Sequence, residues 1–371
     1  MSASKVYFTD MRTSCNAVNL RDKLENLLQK AGFESIDFAG KFTAIKLNFG
    51  EMGNLAYLRA NYARYVCDYV KRLGGRPFVT DCNTLYVGSR KNALEHLDCA
   101  YENGYNPFCT GVHTIIADGL KGTDEVYIPV RGGEYVKEAK IGRAIADADI
   151  IISLNHFKGH EQVGFGGAVK NIGMGCGSRA GKMEMHAKGR PFVDQELCVG
   201  CGKCSEICAH GAAVLADGKA QVLPDRCAGC GRCIGNCPAD AMTPAYDAST
   251  EELGCRIAEY AKAVVQDKPS FHINLAIDIS PYCDCHSEND VPIVSDIGMF
   301  ASFDPVAIDV ACADAVNAEE AEKNSVLHSC EHTHGDHFSD IFPNTDWRAG
   351  MIHSEKIGLG QMEYELIPVT L

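Results

Sequence analysis

Eight cysteines in two matching runs constrain this chain more than any other feature of its sequence. The first run is Cys198-x2-Cys201-x2-Cys204-x3-Cys208, and the second is Cys227-x2-Cys230-x2-Cys233-x3-Cys237-Pro238. Every cysteine of the second run has a counterpart in the first at one constant offset, with "LCVGCGKCSEICAHGAA" aligning to "RCAGCGRCIGNCPADAM". This is the ligand pattern of a bacterial dicluster ferredoxin with two [4Fe–4S] centres. Three thiolates spaced two residues apart wrap one cubane when the loop between them is tight. Gly200, Gly202, Gly229 and Gly231 supply that loop, because glycine takes positive φ and lets backbone N–H groups approach sulfur. The fourth cysteine of each run ligates the other cubane. The expected sets are therefore Cys198, Cys201, Cys204 and Cys237 for one cluster, and Cys227, Cys230, Cys233 and Cys208 for the other. Ala209 stands where the first run often carries proline, which alters a turn and not a ligand.

Zinc and disulfides are the competing uses of such cysteines. A zinc ion takes four ligands, usually as two separated pairs, so two intact four-cysteine runs overshoot it. Disulfide frameworks belong to small secreted chains, and this chain has 371 residues. It carries nineteen cysteines, and those outside the two runs point to a reducing compartment. The start, "MSASKVYFTDMRTSC", has no apolar signal core, and no run of about 18 apolar residues occurs, so the expectation is a cytoplasmic protein without membrane insertion. The formal charge is −14, and two four-thiolate cubanes bring it to about −18. A field of that sign repels nucleic acid and anionic membrane. It either confers solubility alone or steers a basic, soluble redox partner.

Outside the cysteine runs the sequence alternates short aliphatic strands with helical stripes. Strands are expected at 5–8, 43–48, 77–81, 114–118, 125–130 and 149–155, with helices from Leu20 to Gly32, from Leu58 to Leu73, over 92–103, and from about Val136 to Asp147. After the cysteine runs the pattern resumes with a helix over 252–266, strands at 272–278 and 293–298, a helix starting at Asp304-Pro305, and a strand at 364–369. The expected fold is α/β: a mostly parallel sheet with helices on both faces, interrupted by a small α+β dicluster ferredoxin-like insert. The corresponding divisions are 1–190, the first part of the α/β body; 191–246, the 2[4Fe–4S] segment; and 247–371, the rest of the body.

Ligands of an open parallel sheet gather beyond the carboxyl ends of its strands. Those ends carry Lys46, Asn48 and Glu51; Asp81, Asn83 and Thr84; Asp118; and Asn155, His156, Lys158 and His160. Taken singly, such residues are often turn caps. Their density continues into a glycine-rich stretch, "HFKGHEQVGFGGAVKNIGMGCGSRAGKMEMH", ending at His186. The stretch matches neither the dinucleotide fingerprint nor the nucleotide phosphate loop. It offers N–H groups for an anion, with Lys170, Arg179 or Lys182 as counter-charge. Lys170, His160, His186, Lys46 and Asp81 are the candidates for reaction chemistry. Cys283-x-Cys285-His286 is a candidate third metal site, with Cys176 or His186 as a further ligand. His328, Cys330, His332, His334 and His337 lack a recognised metal spacing and read as a polar loop. No motif sets a nucleophile beside a base.

The stretches "AIKLNFGE", "TDCNTLYVGSR", the glycine-rich stretch above, "CDCH" and "DIGMFASFDPVAID" together resemble the bacterial and archaeal proteins grouped as domain of unknown function 362, in the variety with a dicluster ferredoxin insert. The resemblance covers nearly the whole chain. It implies a cytoplasmic iron–sulfur protein with an α/β body, and it supplies no substrate. Only the cluster cysteines carry over residue by residue. Three readings stand at this point. One is an oxidoreductase whose clusters relay electrons to or from a small-molecule substrate or cofactor at the strand ends. The others are a non-enzymatic electron carrier or adaptor docking on a redox partner, and a protein whose clusters are purely structural.

Overall fold

The computed structural model describes residues 3–187 and 190–370. An eight-stranded sheet forms its centre, built from β1 (Ser4–Asp10), β2 (Phe42–Lys46), β3 (Arg76–Asp81), β4 (Thr114–Ile116), β5 (Ile150–His156), β6 (Ser270–Ala276), β7 (Gly298–Ser302) and β8 (Tyr364–Pro368). Across the sheet the order is β8-β1-β7-β6-β5-β2-β3-β4. Only β7 runs against its neighbours, β1 and β6; the remaining pairings are parallel. The helices that cover it include α1 (Leu20–Lys30), α2 (Ala60–Arg72), α3 (Ala168–Gly173), α4 (Arg179–Ala187), α5 (Thr250–Val265) and α6 (Pro305–Ala318).

Both faces are buried, which is why the central strands read as continuous aliphatic runs. Alternate residues go to opposite sides. Ile150, Ile152 and Leu154 of β5, with Phe271, Ile273 and Leu275 of β6, pack against Leu24, Leu27 and Leu28 of α1 and Val66 and Val70 of α2. Ile151 and Phe300 point the other way, toward Val169 and Ile172 of α3, Ile257 and Ala258 of α5, and Val306 and Ile308 of α6. Helix α6 begins as its sequence requires: the Asp304 carboxylate accepts the Val306 and Ala307 N–H groups and Pro305 occupies the first turn. Among the described residues, no helix is long and apolar enough to cross a membrane.

Three expected elements differ. The stretch from Val136 to Asp147 is not one helix: Glu138–Gly142 is a strand and only Arg143–Asp147 is helical. Ala139 and Ile141 are buried at a spacing of two, and that period outweighs the helical propensity of the segment. The strand at 125–130 pairs with this one in a separate hairpin, outside the large sheet. Residues 293–297 form a loop, and the strand starts at Gly298; the Asp296 carboxylate accepts the Asp278 N–H and fixes the loop.

Residues 191–246 form a small unit of short pieces. Pro191–Val193 pairs antiparallel with Met242–Pro244 at its base, and Ala213–Ala216 pairs with Lys219–Val222. The two halves carry matching one-turn helices at Lys203–Ile207 and Arg232–Gly235. Its core of Val193, Ala213, Ala220, Ile234, Ala241 and Met242 is completed by Leu85 and Met183 from the body.

Two fully buried histidines make the fold sensitive to acid. His272 in β6 meets the Ser153 hydroxyl through Nδ1 at 2.8 Å, and its Nε2 has no hydrogen-bond partner among the described residues. Burial pushes its pKa down to about 3. Burial does the same to His96, also down to about 3, against the opposing pull of Asp81. An unfolded histidine takes up its proton near pH 6.5, so this stability is present above that pH and is lost as pH falls toward 3. At pH 5 each costs about 2 kcal/mol. Urea unfolding of wild type and His272→Gln at pH 7 and pH 5 should show a loss on acidification smaller by that amount in the variant. Equal losses in the two proteins would contradict this account.

Candidate functional site

The carboxyl ends of β2, β3 and β5 open into one cavity of about 700 Å³. Lys46, Asp81, His160, Lys170 and His186 all line it, so the five candidate residues share a single space. Thr243 and Tyr246 of the cysteine-rich segment complete its wall. The Tyr246 ring meets the His186 ring edge-on with centroids 5.4 Å apart.

One side of this wall is a buried ionic network. Lys46 Nζ lies 3.0 Å from Asp81 and donates to Asn171 Oδ1 at 2.6 Å. Asn171 Nδ2 donates in turn to Asn155 Oδ1 at 2.7 Å. Arg90 donates to Glu51 at 3.2 Å and to Asn48 Oδ1 at 2.7 Å, and stands 3.8 Å from Asp81. Burial raises the Asp81 carboxyl, but Lys46, His96, Lys182 and Arg90 outweigh it and hold its pKa below the usual value. Lys46 and Asp81 thus satisfy each other. No periodic or spacing signal in the sequence marks Arg90 or Asn171 as part of this network.

Glycines in the 159–177 stretch serve close packing within the body. A Cβ on Gly167 would stand 2.2 Å from Asp309 Oδ1, and one on Gly159 would stand 2.1 Å from the Pro281 carbonyl. Asp309 accepts the Ala168 and Val169 N–H groups at 2.7 and 2.9 Å, and burial raises its pKa to about 6. Within the stretch expected to offer N–H groups to an anion, those of Ala168 and Val169 are therefore already taken. Arg179 departs from its expected role as well. It lies buried in the seam with the cysteine-rich segment, its Nε donating to the Lys121 carbonyl at 3.1 Å and its Nη2 to the Lys91 carbonyl. Gly231 and Gly235 make room for it, since a Cβ at either would stand within 2.9 Å of its side chain. Lys182 remains at the cavity, donating to the Gly177 carbonyl at 2.6 Å.

Cys285 also lines the cavity. Ligand atoms of His160, Cys283 and Cys285 all lie within 4.8 Å of one another. His286, expected as the third ligand, turns instead to Glu161 at 3.2 Å. Cys176 and His186 are not in the group. Lys170 Nζ stands 3.3 Å from Cys283 Sγ. Burial disfavours the Lys170 ammonium, yet Cys283, Cys285 and Glu161 together outweigh it and raise the lysine pKa. The Cys285 thiol donates to Cys283 and, against the cost of burial and with Lys170, holds the Cys283 pKa well below its usual value. Burial brings the His160 pKa down to about 4, which keeps its imidazole neutral. Asp284, between the two cysteines, is held by His156 Nδ1 at 2.8 Å and Lys158 Nζ at 3.2 Å. The stretch expected as a polar loop has one-turn helices at Val326–Ser329 and His337–Ile341; there His332, His337 and Asp340 form a second, more exposed group, with His334 also on Asp340 at 3.1 Å.

In the cysteine-rich segment, Cys198, Cys201, Cys204 and Cys237 line one small cavity. This is the set expected for the first cluster. The Ala220 N–H donates to Cys198 Sγ at 3.3 Å and the Ala212 N–H to Cys208 Sγ at 3.2 Å. The internal repeat extends to the backbone: Gly200 and Gly229 both have φ of 67°, and Gly202 and Gly231 have φ of 78° and 66°. Burial pushes the Cys233 thiol up to about 12, reinforced by its neighbours Cys230 and Cys227. Burial also acts on Cys208, where backbone N–H groups from Ala213 back to His210 outweigh it and lower the pKa. No three of these eight cysteines bring their sulfurs within 4.8 Å of one another. A zinc ion needs sulfurs about 3.8 Å apart, given Zn–S bonds of about 2.3 Å, whereas the larger cubane needs a wider cradle. Cys198, Cys201, Cys204 and Cys237, which share one cavity, are the donor type and number a cubane takes.

Among solved structures, the lactate racemase apoprotein from Thermoanaerobacterium thermosaccharolyticum is similar at 11% identity and a TM-score of 0.35, over 74% of this chain and 51% of that one. A structural-genomics protein from Thermotoga maritima is similar at 11% identity and a TM-score of 0.38, over 80% of this chain and 57% of that one. The chain thus spans little more than half the length of either structure. No curated protein matches it. Residues 43–314, well over half of the sequence, match the family described as Domain of unknown function (DUF362), and the chain belongs to that family.

Proposed function

We propose that this chain is an iron–sulfur redox protein acting on a small molecule bound in the strand-end cavity. Cys198, Cys201, Cys204 and Cys237 would hold one [4Fe–4S] cluster, and Cys227, Cys230, Cys233 and Cys208 the other. Bound clusters supply single-electron transfer between a soluble redox partner protein and the cavity. The observation that carries this reading is the seam: the segment bearing the cysteines also furnishes Thr243 and Tyr246 to the wall of the cavity. An electron carrier or adaptor needs no cavity of about 700 Å³ lined by charged groups, so the cavity favours an enzyme.

Within the cavity, Lys170 offers a half-buried positive charge beside Cys283 and His160 a neutral imidazole, while Lys46 and Asp81 neutralise each other and shape the wall. Lys170 can orient an anionic substrate or stabilise negative charge that develops on reduction. The test is an anaerobic potentiometric titration followed by electron paramagnetic resonance. Two one-electron centres reducible within about −700 to +450 mV are expected. Clusters that accept no electron anywhere in that range would sink the redox reading in favour of a structural role.

A further inference from the structure

We propose that His160, Cys283 and Cys285 form a binding site for one soft divalent cation, separate from the eight cysteines of the 191–246 segment, with an open coordination position facing the cavity. The three donors come from neighbouring strand ends. β5 and β6 are parallel and adjacent, so the chain leaving β5 reaches His160 close to where the chain leaving β6 reaches the cysteines. Their ligand atoms share an envelope of 4.8 Å, and about 3.5–3.8 Å is what tetrahedral Zn–S and Zn–N bonds require.

Two thiols and an imidazole select soft or borderline ions over magnesium or calcium. Asp284 positions both thiols, since its carboxylate is fixed by His156 and Lys158 and the cysteines flank it. Lys170 donates to Cys283 Sγ at 3.3 Å, a hydrogen bond that moderates thiolate charge and leaves sulfur lone pairs for a metal. Among the described residues no fourth donor joins the group: His286 is engaged with Glu161, and His160 and Cys285 both face the cavity. Three protein ligands and one open position are the arrangement of a catalytic rather than a structural zinc site. The Gln162 N–H donates to His160 Nδ1 at 3.1 Å. Coordination through either ring nitrogen makes that amide turn aside, exchanging one neutral hydrogen bond for a metal–nitrogen bond.

This site does not depend on the clusters, and its test reads them separately. Anaerobic full-length protein, stripped with a mild chelator, would be titrated with Zn²⁺ alone, passed through gel filtration, and analysed for zinc and iron and by zinc-edge X-ray absorption. The expected result is one zinc per chain with iron unchanged, two sulfurs at about 2.3 Å and nitrogen or oxygen at about 2.0–2.1 Å. Cys285→Ser and His160→Gln should each weaken zinc binding at least tenfold while keeping the iron. The proposal is overturned by zinc retained well below half an equivalent, by a first shell of four sulfurs with loss of iron, or by unchanged affinity in both variants. A Cys283–Cys285 disulfide found in protein kept free of oxidant would overturn it as well. Because X-ray absorption is read on the wild type, a variant that fails to fold leaves the test decisive.

Discussion

Cys230→Ser is expected to halve the iron of the purified protein, from about eight to about four per chain, and to destabilise residues 191–246. Both effects follow from how little else holds that segment. Its apolar core is a handful of small residues, Ala213, Ala220 and Ala241 among them, and it borrows Leu85 and Met183 from the body. A core of that size does not stabilise so short a unit without a metal or disulfide staple. Cys230 belongs with Cys227 and Cys233, so the first set, around Cys198, should keep its cluster. Limited proteolysis should cut the variant within 191–246 while the sheet survives. Unchanged iron would remove Cys230 from the ligand set, and loss of all iron would show that neither cluster persists without the other.

Lys46→Met should cost about 3–5 kcal/mol of stability. Lys46 is 1% exposed and lies 3.0 Å from Asp81, itself 5% exposed, so removing the ammonium strands a buried carboxylate. Arg90, 3.8 Å from Asp81, is already committed to Glu51 and Asn48, which limits what it can offset. Asn171 Oδ1 loses its donor too. Asp81→Asn in the same background should recover part of the loss, because the stranded charge is gone. Anaerobic urea unfolding at pH 7 measures both. A loss below about 1 kcal/mol would mean that water or a rearranged Arg90 reaches Asp81, and that the cavity wall is looser than described.

Much of this was legible in the sequence. The continuous runs "TAIKLN" and "DIIISLN" announce strands buried on both faces, and the rule for open parallel sheets brings Lys46, Asp81 and His160 to one edge. Pairings across the fold were not legible. His160 meets Cys283 and Cys285 only because β5 and β6 are neighbours, and no local pattern encodes which strands are adjacent. His286 was a natural third ligand by proximity in sequence, but the backbone aims it at Glu161. Arg179, flanked by glycine-rich sequence, reads as a partner for an anion. Its true surroundings depend on Gly231 and Gly235, far along the chain. The strand at Glu138–Gly142 was missed because its alternation covers too few residues to stand out from the helical stretch that follows.

Iron and acid-labile sulfide, measured on protein purified without exposure to air, address the paired cysteine runs most directly. Two cubanes require about eight of each per chain, with a broad brown absorbance that dithionite bleaches. A colourless protein that takes up neither iron nor sulfide, or one that fills these cysteines with zinc, would contradict the assignment.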